Sequence, residues 1–286
     1  MRIKSGLLAV CLLCVMETAW AGAVFRVEVE NFGEDNQFFE AGQSYTTITK
    51  VEGNRMQSDT LGEDGKTTAS VIFLGDSDEM YMVDHGKKNC LVMDKDSIEA
   101  LGQKMGEVMK QMEAALAQVP PGQRGMMERM MKDKLAADPN YKEPAPPVVR
   151  NLGESSSVNG ISCAWKEVTR DGALSEKACV CDPNEIAGGK EMVALAGEMK
   201  NFAEGLTKLA DKASSFKMFG GSTMQEVGML MTTDLGGFSL ISEHFDGEGK
   251  LMRRSTFQSA DDVAIQPGEF APPEGYKKQT MQQIMR

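Results

Sequence analysis

Histidine is almost missing from this chain: His85 and His244 are the only two in 286 residues. That scarcity weakens any histidine-based catalytic or metal-binding scheme, and each reads as a surface polar residue. Ser242 and Glu243 beside His244 make no triad, because adjacent strand residues point to opposite faces. Gly-x-Ser-x-Gly, a phosphate loop and His-Glu-x-x-His are all absent. Carboxylates are plentiful, but their spacing marks no acid–base pair. Asp76/Asp78 and Asp261-Asp262 lack a full calcium-loop pattern. These absences point away from an enzyme, and neither a metal site nor a cofactor is expected. Long apolar runs are missing too. After Met16 no stretch stays apolar for about 20 residues, so no membrane span is expected. Basic residues are outnumbered, 31 Lys and Arg against 42 Asp and Glu, for a net charge of −11. Such a surface disfavours nucleic acid and anionic lipid surfaces as partners.

What is present begins with MRIKSGLLAVCLLCVMETAWA over residues 1–21. Arg2 and Lys4 precede a short apolar run, and Ala19-Trp20-Ala21 places small residues at a cleavage site. This reads as an export signal removed after Ala21, with the mature chain in the periplasm. Cys11 follows Val10 and comes too early for lipid attachment, so soluble export is expected. Cleavage leaves four cysteines: Cys90, Cys163, Cys179 and Cys181.

An even number of cysteines in an oxidising compartment reads as two disulfides. Ile161–Thr169 and Leu174–Cys181 flank Asp171-Gly172, a hairpin signal. A two-residue loop puts Cys163 opposite Val180. A three-residue loop with a glycine bulge puts it opposite Cys179, and a shift the other way puts it opposite Cys181. Cys163 is therefore expected to pair with Cys179 or Cys181, leaving Cys90 to the other. A Cys-x-Cys metal or redox site is the alternative.

Period-2 alternation predicts strands over 24–30, 44–52, 55–60, 67–74, 79–83 and 89–93. The period then lengthens. Ile98, Leu101, Met105, Val108, Met109, Met112, Leu116 and Val119 predict an amphipathic helix, capped by Asp96 or Ser97. Pro120-Pro121-Gly122 stops it, and a second helix over 123–137 makes a helical hairpin. A proline-rich loop follows over 138–147. Further on, Met192, Leu195, Met199, Phe202, Leu206 and Leu209 predict a helix over 189–219. Strands are expected over 226–232, 237–245, 250–259 and 264–270, and a terminal helix over 276–286. The fold class is α+β: a large curved antiparallel sheet with helices on its concave side.

Methionine is the second compositional signature. Met105, Met109, Met112, Met126, Met127, Met130 and Met131 fall within 27 residues. Helical spacing brings three pairs of them onto shared faces. Three roles are open: core filler, an adaptable apolar surface, or a thioether site for Cu(I). Met105, Met109, Met112, Met127 and Met131 are the candidate ligand contacts.

Several segments carry a family resemblance. They are the Tyr81-Met82-Val83 to Leu91-Val92-Met93 hairpin, Gly160-Ile161-Ser162-Cys163, Gly236-Gly237-Phe238 and the stretch from Phe270 to Lys278. With the signal and the strand-rich start, they resemble an exported bacterial family of unassigned function. That family is similar to the periplasmic lipoprotein-carrier (LolA-like) half-barrel superfamily. The resemblance implies a single half-barrel domain over 22–286, with the helical insertion at about 95–137. It also implies a non-enzymatic binding or carrier module. Its partner would be an apolar ligand (an acyl chain, a lipoprotein tail or a partner helix) or an envelope protein. A Cu(I) scavenger and a structural envelope protein are the alternatives.

Overall fold

Twelve strands form one hydrogen-bonded sheet in a computed structural model. It describes residues 21–33, 42–97, 99–100, 146–212 and 234–280, with isolated positions 103, 107, 110, 111, 114 and 283; within 203–212 only the backbone is described. The export signal, the second helix of the hairpin and the strand expected over 226–232 lie outside the described residues.

The first six strands are β1 (Ala21–Asn31), β2 (Ser44–Glu52), β3 (Arg55–Leu61), β4 (Thr67–Leu74), β5 (Glu79–Asp84) and β6 (Asn89–Met93). After residues 94–147 come β7 (Val148–Val158), β8 (Ile161–Arg170), β9 (Ala173–Cys181), β10 (Phe238–Phe245), β11 (Leu251–Ala264) and β12 (Lys277–Thr280). Their spatial order is β12-β6-β5-β4-β3-β2-β1-β11-β10-β9-β8-β7. Two meanders thus meet at the antiparallel β1–β11 ladder. Every neighbouring pair is antiparallel except β12 beside β6, which is parallel.

Tight turns build the hairpins. Asn159-Gly160 and Asp171-Gly172 hold φ of 52° and 83°, and 50° and 82°. Two successive left-handed residues suit the twist of a two-residue hairpin loop, and Asn-Gly and Asp-Gly tolerate them best.

Both sheet faces are covered in part. On one, Phe25, Val51, Met56, Phe73, Met80 and Met93 are buried together with Leu195 and Met199 of the long helix Gly189–Lys212. On the other, Ile72, Tyr81, Val83 and Cys90 are buried under Ile265, Phe270 and the half-buried Tyr276. Those three residues belong to the segment linking β11 to β12, which acts as a strap.

Several expectations need correction. The segment after Tyr276 is strand β12, not a helix, through Thr280. Residues 267–270 form a 3-10 turn rather than a strand. Strand β7 was not expected; its side chains are mostly exposed, so no alternation announces it. The helix that opens at Lys95 is capped by Asp94 rather than Asp96 or Ser97. Asp94 Oδ1 accepts from Ser97 N at 2.6 Å, and Asp94 N donates to Ser97 Oγ at 3.1 Å. That reciprocal pair satisfies donors the helix start leaves free.

Candidate functional site

The apolar face beneath the long helix is the most extensive candidate surface. Met192, Leu195, Met199 and Phe202 recur at three- and four-residue steps, so one stripe of the helix meets the sheet. Leu195 and Met199 are 1% and 4% exposed. Burying each contributes about 1.5–3 kcal/mol. Phe202 meets Phe73 edge-on, with centroids 5.8 Å apart. Gly188 sets the approach of the helix to β1. A Cβ there would stand 2.1 Å from the Ala23 Cβ, and its φ is +63°.

Methionine recurs through this interlayer. Met56, Met80, Met93 and Met199 are buried in it, and Met82 and Met192 pack against it. The alternation of Met80, Tyr81, Met82 and Val83 places two of these methionines on one strand face. Met105, Met109, Met112, Met127 and Met131 lie outside the described residues.

Cys163 bonds to Cys179, with Cα atoms 5.2 Å apart. The route differs from expectation. The two-residue loop pairs Arg170 with Ala173, and a bulge then shifts the register until Ala164 pairs with Val180. Continued by one residue, that register sets Cys163 opposite Cys181, yet the bond runs diagonally to Cys179. Cys181 and Cys90 are both buried and free. The expected second disulfide does not form, because Cys90 belongs to the cluster under the strap and Cys181 to the cluster under the helix. Seven strands also separate β6 from β9, more than about 30 Å at ~4.8 Å per strand. Burial raises both thiol pKa values, and Glu185 and Asp182 push Cys181 further. Neither is an activated nucleophile. Among the described residues, no three His, Cys, Asp or Glu side chains gather as metal ligands.

His85 is not a plain surface residue. Its Nδ1 lies 3.0 Å from the Tyr276 hydroxyl and its Nε2 lies 2.7 Å from Ser70 Oγ. Ser70 Oγ donates to Asp59 Oδ1 at 2.6 Å, and Gln57 Nε2 donates to both Asp59 oxygens. One hydrogen-bond direction satisfies the chain: Tyr276 donates to His85, His85 to Ser70, and Ser70 to Asp59. The serine proton then points at the carboxylate, away from the imidazole. Ser70 is also only 4% exposed. The arrangement lacks the activated, accessible hydroxyl that nucleophilic catalysis requires. It ties the strap to β3 and β4.

His244 sits elsewhere, on β10 opposite Arg253 and Glu176. Burial lowers its pKa to about 4, and the charges of Arg253 and Arg170 act the same way. Among the described residues, no helix is long and apolar enough to cross a membrane.

No family model and no curated protein matches this chain. Solved structures do. An uncharacterized conserved protein from Thermus thermophilus is 4% identical, with TM-score 0.43 and 91% of each chain covered. MucB in the Pseudomonas aeruginosa MucA/MucB complex is 11% identical, with TM-score 0.35, covering 89% of this chain and 56% of that one. A domain described as an outer membrane lipoprotein-sorting protein domain, from Vibrio parahaemolyticus, is 9% identical, with TM-score 0.32, covering 88% and 89%. The chain spans little more than half of the MucB chain. Likeness at this level carries no ligand, partner or activity over to this chain.

Proposed function

We propose that this chain is an exported, non-enzymatic binding or carrier module of the bacterial envelope, acting in the periplasm. Its ligand is an acyl chain, held on the sheet face beneath the long helix. A lipoprotein tail or an apolar partner helix presents the same chemistry. Met105, Met109, Met112, Met127 and Met131 of the insertion at about 95–137 would add contacts.

One observation carries this reading. The layer between helix and sheet carries six methionines among its aliphatic and aromatic side chains. Unbranched thioether side chains repack around guests of varied shape at small cost. A layer built only for rigidity uses methionine sparingly.

Native mass spectrometry after gentle purification tests the reading, together with titration of a fluorescent fatty acid at micromolar protein. Bound lipid or saturable fluorescence is expected. If the protein carries nothing and binds no probe, the carrier reading fails. Replacing Met80, Met82 and Met199 with valine should weaken probe binding while the fold persists.

A further inference from the structure

A row of alternating charges crosses the sheet from β1 to the edge strand β7. Register sets Glu30 of β1 opposite Arg254 of β11, Arg254 opposite Glu243 of β10, and Glu243 opposite Lys177 of β9. Lys177 is in turn opposite Glu167 of β8, and Glu167 opposite Arg150 of β7. Unlike charges facing each other across strands attract, and like charges repel.

The two arginines of this row differ in one respect. Arg254 has a carboxylate on each side, Glu243 Oε1 at 2.7 Å and Glu30 Oε2 at 3.9 Å. Arg150 has one, Glu167 Oε1 at 2.7 Å. Its other side is the edge of the sheet, where no strand pairs with β7 among the described residues. The Arg150 side chain is 68% exposed there, against 16% for Glu167. Val148 and Val149 beside it are also exposed, although large and apolar. A long open edge with such side chains is a template for another strand.

The strand itself supplies the carboxylate that the row lacks. Leu152, Gly153 and Glu154 lie against Trp165 alone, a bulge of two extra residues. Two is an even number, so Arg150, Leu152 and Glu154 still share a face. A two-fold axis through Leu152 lays a second copy of β7 antiparallel to the first. Arg150 then meets Glu154 of the second copy, Leu152 meets its own counterpart, and Val149 and Val148 meet Ser155 and Ser156. An axis through Arg150 would instead set arginine against arginine. Gly153, at φ +74°, has open space where a Cβ would stand. A glycine inside a strand suits the close approach of another backbone. Pro146-Pro147 lack amide donors and end the pairing at Val148.

We propose that the edge of β7 is a homodimer interface, in which a second copy pairs over residues 148–156 and its Glu154 completes the charge row. Such an isologous contact closes at two copies, so the edge is used up rather than propagated. The proposal stands apart from the carrier reading.

Sedimentation velocity of the purified protein, from micromolar to submillimolar, tests it. A dimer that forms with rising concentration is expected. Arg150→Glu and Glu154→Arg each set like charges together twice across the axis, and each should weaken the dimer about tenfold to a hundredfold. An equimolar mixture of the two variants should dimerise again, because every such pair is then of unlike charge. Arg150→Glu also brings a carboxylate against Glu167. If that variant fails to fold, hydrogen exchange of the wild type decides: amides over 148–156 should slow as concentration rises. A wild type that stays monomeric overturns the proposal. So does a dimer that both variants leave intact, a mixture of folded variants that stays monomeric, or exchange over β7 that ignores concentration.

Discussion

Replacing Gly188 with alanine should unseat the long helix, and the cost can be worked from two features. The backbone there has φ +63°, in the left-handed region. An alanine pays roughly 1–2 kcal/mol in that region. The new methyl would also stand 2.1 Å from the Ala23 Cβ and 3.3 Å from Phe25 Cζ. Neither neighbour can retreat, since Ala23 and Phe25 are 2% and 1% exposed on a central strand. Overpacking of this kind costs about 1–3 kcal/mol. Together the loss is about 3 kcal/mol, a fall in Tm of roughly 6–12 °C for a chain of this size. Gly197 is the internal control. It sits in the same helix, exposed, with nothing within 4 Å of a Cβ. Gly197→Ala should therefore stabilise by about 0.8–1 kcal/mol through helix propensity. Thermal melts of both variants and the parent make the comparison. A Gly188→Ala protein that melts within a degree of the parent would refute the close seating of the helix on β1.

Other consequences are as direct. His244, at about 4 in the fold and 6.5 in the unfolded chain, binds its proton more weakly when folded. Its share of stability is intact above pH 6.5 and falls by about 3 kcal/mol as pH drops toward 4. Glu176 runs the other way, since its raised pKa favours stability at low pH. Urea midpoints at pH 7 and 4.5 should therefore fall further in Glu176→Gln than in the parent, and least in His244→Gln. In Cys179→Ser, peptide mapping without reduction should find Cys163 bonded to Cys181; free thiols at both would show the inferred register to be wrong. Tyr276→Phe leaves His85 Nδ1 without its donor and should cost about 1 kcal/mol, with faster amide exchange over the strap.

Much of the sheet was legible because its strands alternate between clear turns. The bounds of β2, β4 and β6 match the expected ones to the residue. The helical stripe from Met192 to Phe202 was legible for the same reason. Strand β7 escaped because Arg150, Asn151, Gly153, Glu154 and Ser155 show no apolar period on an exposed edge. Its signal was Asn159-Gly160, as good a hairpin mark as Asp171-Gly172. The terminal strand escaped because only the neighbouring β6 makes Lys277–Thr280 extend. Cysteine pairing failed at Cys90 because a count of thiols does not say which face or which end of a sheet each occupies. The His85 chain joins positions 191 residues apart at Tyr276, a distance that no local pattern spans.

The meeting of β1 and β11 bears on how the molecule is assembled. The first strand lies in the middle of the sheet, and its partner arrives more than 200 residues later, with Gly22 paired to Val263. Until β11 emerges, a nascent chain with β1–β6 hydrogen-bonded presents β1 as an open edge bearing Phe25, Val27 and Val29. Such an edge is a template for mispairing, and closure across so long a loop is intrinsically slow. The last-made part of the chain is therefore what ends the danger. A chain truncated before residue 251 should pass into aggregates, and a full-length chain should need to be kept unfolded until it is complete.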